Sequence, residues 1–342
     1  MSLTPKKPIP EGAIRYNTDS NKMEVWIGDK WMIVATSSPN LDGGVRGLFA
    51  GKFDDSNNAG TLDFITISSQ GNATGYGDLS ASNSDFYGGM CSSNTRWTYF
   101  GGAPGNPSNE IDFGEFATTG NSTDFGNLVV ATHYSPSGVS SKTRGIRMGG
   151  ASAPTGSQNN IEFWTFSQLG DAIDFGDLVT ASRFAFSANS PTRGMIHGGS
   201  DGPNAVEITQ FITMSTLGNA ETFGDVPTNN AMAGGNGACS NATRGLFGGG
   251  GPGYVSTVST VQMASLGDSY EFGDLSVARM YTGSTASATR AVWGGGNQPS
   301  SPNYVNIIDY INIATGGTSI DFGDRTVAGS YLSACSNGHG GL

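Results

Sequence analysis

The side chains in this sequence that could do chemistry are few and scattered. Three histidines, His133, His197 and His339, share no phase with one another and form no HExxH or similar metal-ligand spacing. Asp54-Asp55, with Asn57 and Asn58 nearby, offers the oxygen ligands calcium takes. The alternating order of a calcium loop is missing, however, so a solvated turn is the preferred reading. No G-x-S-x-G elbow connects a strand to a helix, so the abundant serines point to no activated nucleophile. Paired carboxylates for glycan cleavage depend on geometry that spacing does not define. Tyr254 and Tyr304, with Asn and Asp close by, have the types needed to stack on a sugar, although ordinary surface tyrosines are the simpler reading. The expectation is a protein that is not an enzyme and needs no cofactor and no metal.

Cys91, Cys239 and Cys335 stand five residues ahead of a recurring arginine or its degenerate last copy, where the other copies have Val139, Ala188 and Thr285. Such a column is a small, mostly apolar packing position. Equivalent positions in separate repeats should lie beyond the ~7 Å that a disulfide spans, so buried free thiols are expected.

The elements that must position these residues come from a repeat. An aromatic, a glycine and an acid or amide recur at Tyr76-Gly77-Asp78, Phe125-Gly126-Asn127, Phe175-Gly176-Asp177, Phe223-Gly224-Asp225, Phe272-Gly273-Asp274 and Phe322-Gly323-Asp324, at steps of 49, 50, 48, 49 and 50 residues. Arg46, Arg96, Arg144, Arg193, Arg244 and Arg290 keep the same period, each followed five residues later by glycine. Each repeat divides into four short strand candidates: one after the arginine, one like Asp63–Ile67, one holding the signature, and one running into the next arginine, with the boundary between sheets open to a shift of one strand. The expected fold is all-β, a six-bladed kelch-like β-propeller over residues 41–342. Residues 336–342 look like an unfinished seventh start, placed to meet Asp42–Val45 and close the ring.

Ahead of the repeats, residues 1–40 read as a leader and a three-stranded β meander: Ala13–Tyr16, Lys22–Ile27 and Lys30–Val34, with Gly28-Asp29 as a hairpin turn. Three short strands bury little alone, so docking or oligomerisation is expected of them. Thr36 to Gly44 reads as a linker.

The repeated residues are expected to be structural. The aromatic should wedge between sheets, and Asp78, Asp177, Asp225, Asp274 and Asp324 are expected to reach the arginines of the column. The alternative is a ring of six arginines binding an anion in a central channel. The variable connections after the glycine pairs (53–60, 103–109, 151–159, 200–205, 251–256 and 297–305) should share one face, where recognition usually lives. Candidate ligand-binding residues there are Asp54, Asp55, Asn106, Asp201, Asn204, Tyr254 and Tyr304.

Composition narrows the partners. A net charge of -11 and no basic cluster argue against nucleic acid. No apolar run approaches the ~20 residues of a membrane span, and the start lacks the apolar stretch of a signal peptide. Charged residues are only 13% of the chain while 53 residues are glycine, as suits short strands and tight turns.

The stretch from Pro10 to Ala35, "PEGAIRYNTDSNKMEVWIGDKWMIVA", resembles a small module of bacteriophage virion proteins. The repeats resemble the kelch-like arrays of marine phage tail fibres and other virion proteins, through Thr243-Arg244-Gly245-Leu246-Phe247-Gly248-Gly249-Gly250, Ile308–Thr315 and Asp174-Phe175-Gly176-Asp177-Leu178. The regularly placed Tyr and Trp of cellular kelch repeats are missing. The resemblance implies a virion protein made in the host cytoplasm, most simply a tail-fibre or receptor-binding component that touches a host-surface glycan or protein. It would join other virion proteins through residues 13–36 and act as a homo-oligomer in the particle. A capsid- or tail-decorating role and a glycan-cleaving virion enzyme are the alternatives.

Overall fold

In a computed structural model the described residues are 9–18, 22–33, 45–54, 59–80, 87–102, 107–134, 136–152, 156–226, 237–251 and 253–342. Among them the protein is all-β, built from several small antiparallel sheets, and no helix is long and apolar enough to cross a membrane. The chain divides into two compact units, residues 1–41 and 42–342. The linker expected at Thr36–Gly44 lies outside the described residues.

The first unit is a meander of Ile14–Asn17, Lys22–Ile27 and Lys30–Ile33. The second holds six sheets of like design. Sheet two shows the plan: Gly89–Ser92, Arg96–Phe100, Ser108–Glu115 and Thr123–Thr132 pair in that chain order as antiparallel neighbours. Sheets three, four, five and six repeat it, starting from Ser137–Ser140, Phe186–Asn189, Ala238–Ser240 and Gly283–Ala286. In sheet five a short extra strand, Gly317–Thr318, pairs in parallel with Tyr270–Asp274.

The strand that precedes each arginine therefore belongs with the arginine strand, one strand earlier than the sequence division placed it. The reason is the turn between them. Ser93 Oγ accepts from the backbone N–H of Arg96 at 3.0 Å, and Ser141, Ser190, Asn241 and Ser287 do the same for the next four arginines. A short side-chain acceptor in an S/N-x-T-R turn fixes the hairpin locally.

Sheet one is made from both ends of the repeat region. Ser333–Ser336 pairs with Arg46–Lys52, which continues to Ala59–Thr66 and Thr74–Asp78. The residues after 336 thus do not begin a seventh repeat; Ser333–Ser336 completes the first sheet. Asn337 Oδ1 accepts from Arg46 N–H at 2.8 Å, standing where the turn residue stands in the continuous hairpins. Asp42–Gly44 lie outside the described residues.

Each boundary between consecutive sheets encloses its own apolar cluster, and the signature aromatic sits in it. Phe175 of sheet three packs with Ile196, Ile212 and Met214 of sheet four; Phe272 of sheet five packs against Trp293, Ile311 and Ile313 of sheet six. Phe322 of sheet six joins Phe49, Ile65 and Ile67 of sheet one. The signature glycine follows from the same contact. Gly218 N–H donates to Phe175 O and Gly267 N–H to Phe223 O, at 2.9 and 3.0 Å, so the next sheet's turn lies against the signature backbone. A Cβ on Gly224 would overlap the carbonyl oxygen of Gly267.

Two substitutions test this wedge. Phe175→Ala, which empties a site buried between two sheets, should cost ~3–5 kcal/mol and lower the urea midpoint. Gly224→Ala should also destabilise, whereas Gly75→Ala, with nothing within 4 Å of its added Cβ, should unfold at close to the wild-type midpoint.

Candidate functional site

The six column arginines act between sheets. Arg96 donates from Nη1 to Phe166 O at 2.7 Å, Arg144 to Met214 O at 3.2 Å, Arg193 to Met263 O at 2.8 Å and Arg244 to Ile313 O at 3.0 Å. Arg46 reaches Phe116 O, and Arg290 of sheet six reaches Ile67 O of sheet one at 2.9 Å. Each acceptor follows the third strand of the next sheet. Each guanidinium also lies over an aromatic ring of its own sheet, as Arg193 does over Phe211 at 4.8 Å. In sheet five Thr260 occupies that ring position, and Arg244 lies over the signature Phe272 instead, at 5.1 Å.

Two expectations are corrected here. The arginines bond carbonyls, and no ion pair among the described residues joins them to a signature acid. Asp78, Asp225 and Asp324 are exposed on the last strand of their sheets, and Asp274 accepts from Ser256 Oγ at 3.0 Å. Nor do the arginines form an anion ring: the space lined by the first strands of all six sheets has no arginine in its wall.

What ties the signature acid position to the next sheet is its backbone. The N–H of Asp78, Asn127, Asp177, Asp225 and Asp324 donates to Asn121, Asp171, Asn219, Asp268 and Asn72, at 2.9 to 3.1 Å. A second polar column lies buried in the third strands. Glu162 accepts from Val129 and Val130 N–H, Asp112 from Ser80, and Asp63 from Thr326 and Arg325. Asp309 accepts from Ser276 and pairs with the buried Arg279.

The cavity between the first strands is about 40 Å³, and its walls are hydroxyls, small apolar groups and the three cysteines. Hydroxyls link the strands: Ser140 donates to Ser92 O, Ser187 to Gly138 O, Ser240 to Asn189 O, and Thr285 to Cys335 O. Cys91, Cys239 and Cys335 are buried free thiols. Burial pushes the Cys91 thiol up to about 12 and the other two upward as well, which suits packing and disfavours thiolate chemistry.

The arginine-turn end of this cavity is closed by residues 337–342. His339 Nε2 lies 2.8 Å from Ser92 O and 3.2 Å from Ser140 Oγ, and Nδ1 lies 2.9 Å from Asn189 Nδ2. Gly340 N–H donates to Ser240 O. One short segment thus touches sheets two, three, four and five after completing sheet one.

At the opposite end the first strands begin, and there an unforeseen aromatic column appears. Tyr87, Tyr134, Phe184, Tyr281 and Tyr331 all have positive φ, between 55° and 71°. Bulky side chains rarely adopt this conformation, which costs of order 1–3 kcal/mol per residue. Their rings meet: Tyr331 lies 3.9 Å from both Tyr87 and Tyr281, and Tyr134 lies 5.1 Å from Phe184. All five are half-buried. Burial raises the phenols of Tyr87 and Tyr281, and both hydrogen-bond Tyr331.

The variable connections reach this same end. Phe53 bridges Ser330 through the backbone and packs edge-on to Tyr331 at 5.3 Å and Tyr304 at 5.9 Å. Tyr254, also at positive φ, lies near enough to Tyr281 to act on its phenol. Of the candidate ligand residues, Tyr304 therefore meets this aromatic cluster through Phe53, and Tyr254 stands on its Tyr281 side. Asp201 and Asn204, both exposed, face each other across the hairpin Ser200–Asp201/Asn204–Ala205, closed by Gly202. Asp54 pairs with Lys52 at 2.7 Å. Asp55 and Asn106 lie outside the described residues. Among the described residues no group of three or more His, Cys, Asp or Glu is placed to hold a metal ion.

Tyr87, Tyr134, Phe184 and Tyr281 stand nine or ten residues ahead of an arginine, with Tyr331 one period after Tyr281, and the S/N-x-T-R turns and the third-strand acids of four sheets keep the same period. All three were present in the sequence as repeats. No family model matches this chain, and no curated protein sequence matches it.

Two predictions follow from the buried polar groups. Arg193→Ala removes a charged hydrogen bond and a cation–π contact together, and should cost about 2 kcal/mol by urea unfolding. Burial lowers the imidazoles of His197 to about 3 and His339 to about 4, and that of His133 also falls. The unfolded chain, with histidines near pKa ~6.5, binds more protons below that pH, so stability is full above it. Stability should then fall as pH drops from 6.5 toward about 4, and His339→Gln should flatten that slope of urea midpoint against pH.

Proposed function

We propose that the second unit is a six-bladed, kelch-like β-propeller in a bacteriophage virion protein, and that its loop end is an adhesion surface for the host envelope. Three features support the propeller. Six sheets share one strand plan, the first strand of each neighbours that of the next, and those of sheets six and two both neighbour Ser333–Ser336. The arginine links run from each sheet to the next and from sheet six back to sheet one. The last strand completes the first sheet, as expected of a ring that hides its terminal edges.

The observation that carries the adhesion reading is the aromatic cluster at the loop end. Rings from five sheets converge there on strained backbone, half-buried, beside connections that differ in length and content. Strain of this kind gathers at recognition sites, and aromatic faces suit a sugar or an aromatic-rich protein patch. The buried acids, in contrast, are engaged between sheets by backbone N–H groups and arginines, which supports a binding role over glycan cleavage. Many copies on one particle would multiply weak contacts. The meander is read as the part that joins other virion proteins.

Binding of the purified full chain to host cells tests this. Tyr254→Ala and Tyr304→Ala together should weaken cell binding by at least ~10-fold while the thermal midpoint moves little, as expected for recognition residues at the rim. Unchanged cell binding by the double variant would overturn the site. Even labelling of the particle head without cell binding would favour decoration, and release of reducing sugar from the envelope would favour an enzyme.

A further inference from the structure

The two faces of the N-terminal meander are unlike. Register sets them: Ile14, Val25 and Met32 lie side by side, as do Tyr16 and Met23, while Arg15 lies opposite Glu24 and Trp26 opposite Trp31. Alternation along each strand then puts Arg15, Asn17, Glu24, Trp26, Trp31 and Ile33 on one face. The polar groups of that face satisfy one another, and Ile33, at its edge, is exposed. Arg15 Nη2 lies 2.7 Å from Glu24, Asn17 Nδ2 donates to Glu24 Oε1 at 2.9 Å, and the Arg15 guanidinium lies over Trp31 at 4.2 Å. Trp26 meets Trp31 edge-on at 5.3 Å.

The other face carries Ile14, Tyr16, Met23, Val25, Ile27 and Met32. Five of these are exposed: Ile14 at 64%, Tyr16 at 54%, Ile27 at 51%, Met32 at 44% and Met23 at 43%. Lys30, paired with Ile27 at the hairpin end, is the one charged residue whose register puts it on this face.

We infer that this apolar face is a self-association surface, whose occupant is the same face of a second copy of the chain. Three arguments lead there. The face has apolar residues across its width and a single lysine at its corner, so two copies related by a two-fold axis stack without burying an unpaired charge. Side chains at about half exposure leave ~450 Å² of apolar surface on each copy, or ~900 Å² between two, below the ~1,000 Å² that a tight specific interface clears and in the range of a weak, reversible one. Three strands gain their stability from a hydrophobic face, and this is the more apolar face of the meander, so a second copy that covers it also holds the strands. The association does not depend on what the loop end binds, and its test reads mass instead of adhesion.

Sedimentation velocity of the full chain, from ~1 to ~200 µM, provides that test. The wild-type mass should rise from one chain toward two. Tyr16→Lys with Ile27→Lys, which sets like charges against each other across a two-fold contact, should keep the chain monomeric throughout, weakening association at least ~30-fold. Near-UV dichroism of the Trp26–Trp31 pair reports whether the meander stays folded, and the single variant Ile14→Lys should weaken association should the double variant lose that signal. A wild-type chain that stays monomeric at ~200 µM overturns the inference. So does association that survives in folded variants, which would place the contact elsewhere on the molecule.

Discussion

One interaction recurs wherever two sheets of the second unit meet: an arginine held over an aromatic ring of its own sheet gives a proton-bearing nitrogen to a carbonyl of the next. The acceptors, such as Phe166 O and Met263 O, lie just past the third strand, where a backbone oxygen has left the ladder and needs a donor. The guanidinium satisfies that oxygen and stays planar against the ring, which a lysine would do less well because its ammonium lacks the flat, weakly hydrated face. Four-stranded sheets stacked through apolar clusters alone would be free to slide. A directional bond at each boundary fixes the angle at which one sheet follows another.

The same constraint explains how the repeat region joins its ends. Nothing covalent connects Ser333–Ser336 to Arg46–Lys52, yet Asn337 makes to Arg46 N–H the bond that Ser93 makes to Arg96 N–H inside a continuous hairpin. The junction is thus built from the same local chemistry as the other five turns. His339 and Gly340 then extend the closure across the first strands, bonding Ser92, Asn189 and Ser240. Neutral imidazole is required there: the groups facing it are hydroxyl, amide and carbonyl, and none carries a charge to stabilise imidazolium.

The repeat, its strands and the wedge role of Phe175 or Phe322 were legible because they depend on local pattern: short apolar runs, glycines at turns, an aromatic at a constant phase. The partner of Arg244 was not legible, because a carbonyl leaves no mark in a sequence, and an acid at constant phase made the tempting substitute. The assignment of strands to sheets turned on the S/N-x-T-R turn, which was visible but hidden inside the more obvious T-R-G match. Tyr87, Tyr134, Phe184, Tyr281 and Tyr331 went unread for a different reason. Their spacing is regular, but their meaning depends on positive φ and on convergence, and both arise only when the sheets are assembled.

The two ends of the six sheets consequently do different work. At the arginine end, turns of nearly constant sequence, a neutral histidine and a row of carbonyl bonds leave little room for variation, since each change would leave a buried polar group unmatched. At the other end, five strained aromatics lie together beside connections whose lengths differ from sheet to sheet. Strain held there has to be compensated by contacts elsewhere, and the satisfied end supplies them. A scaffold made rigid at one end can hold an irregular, half-buried aromatic surface at the other without losing its register, and that division is what the proposed adhesion surface requires of its support.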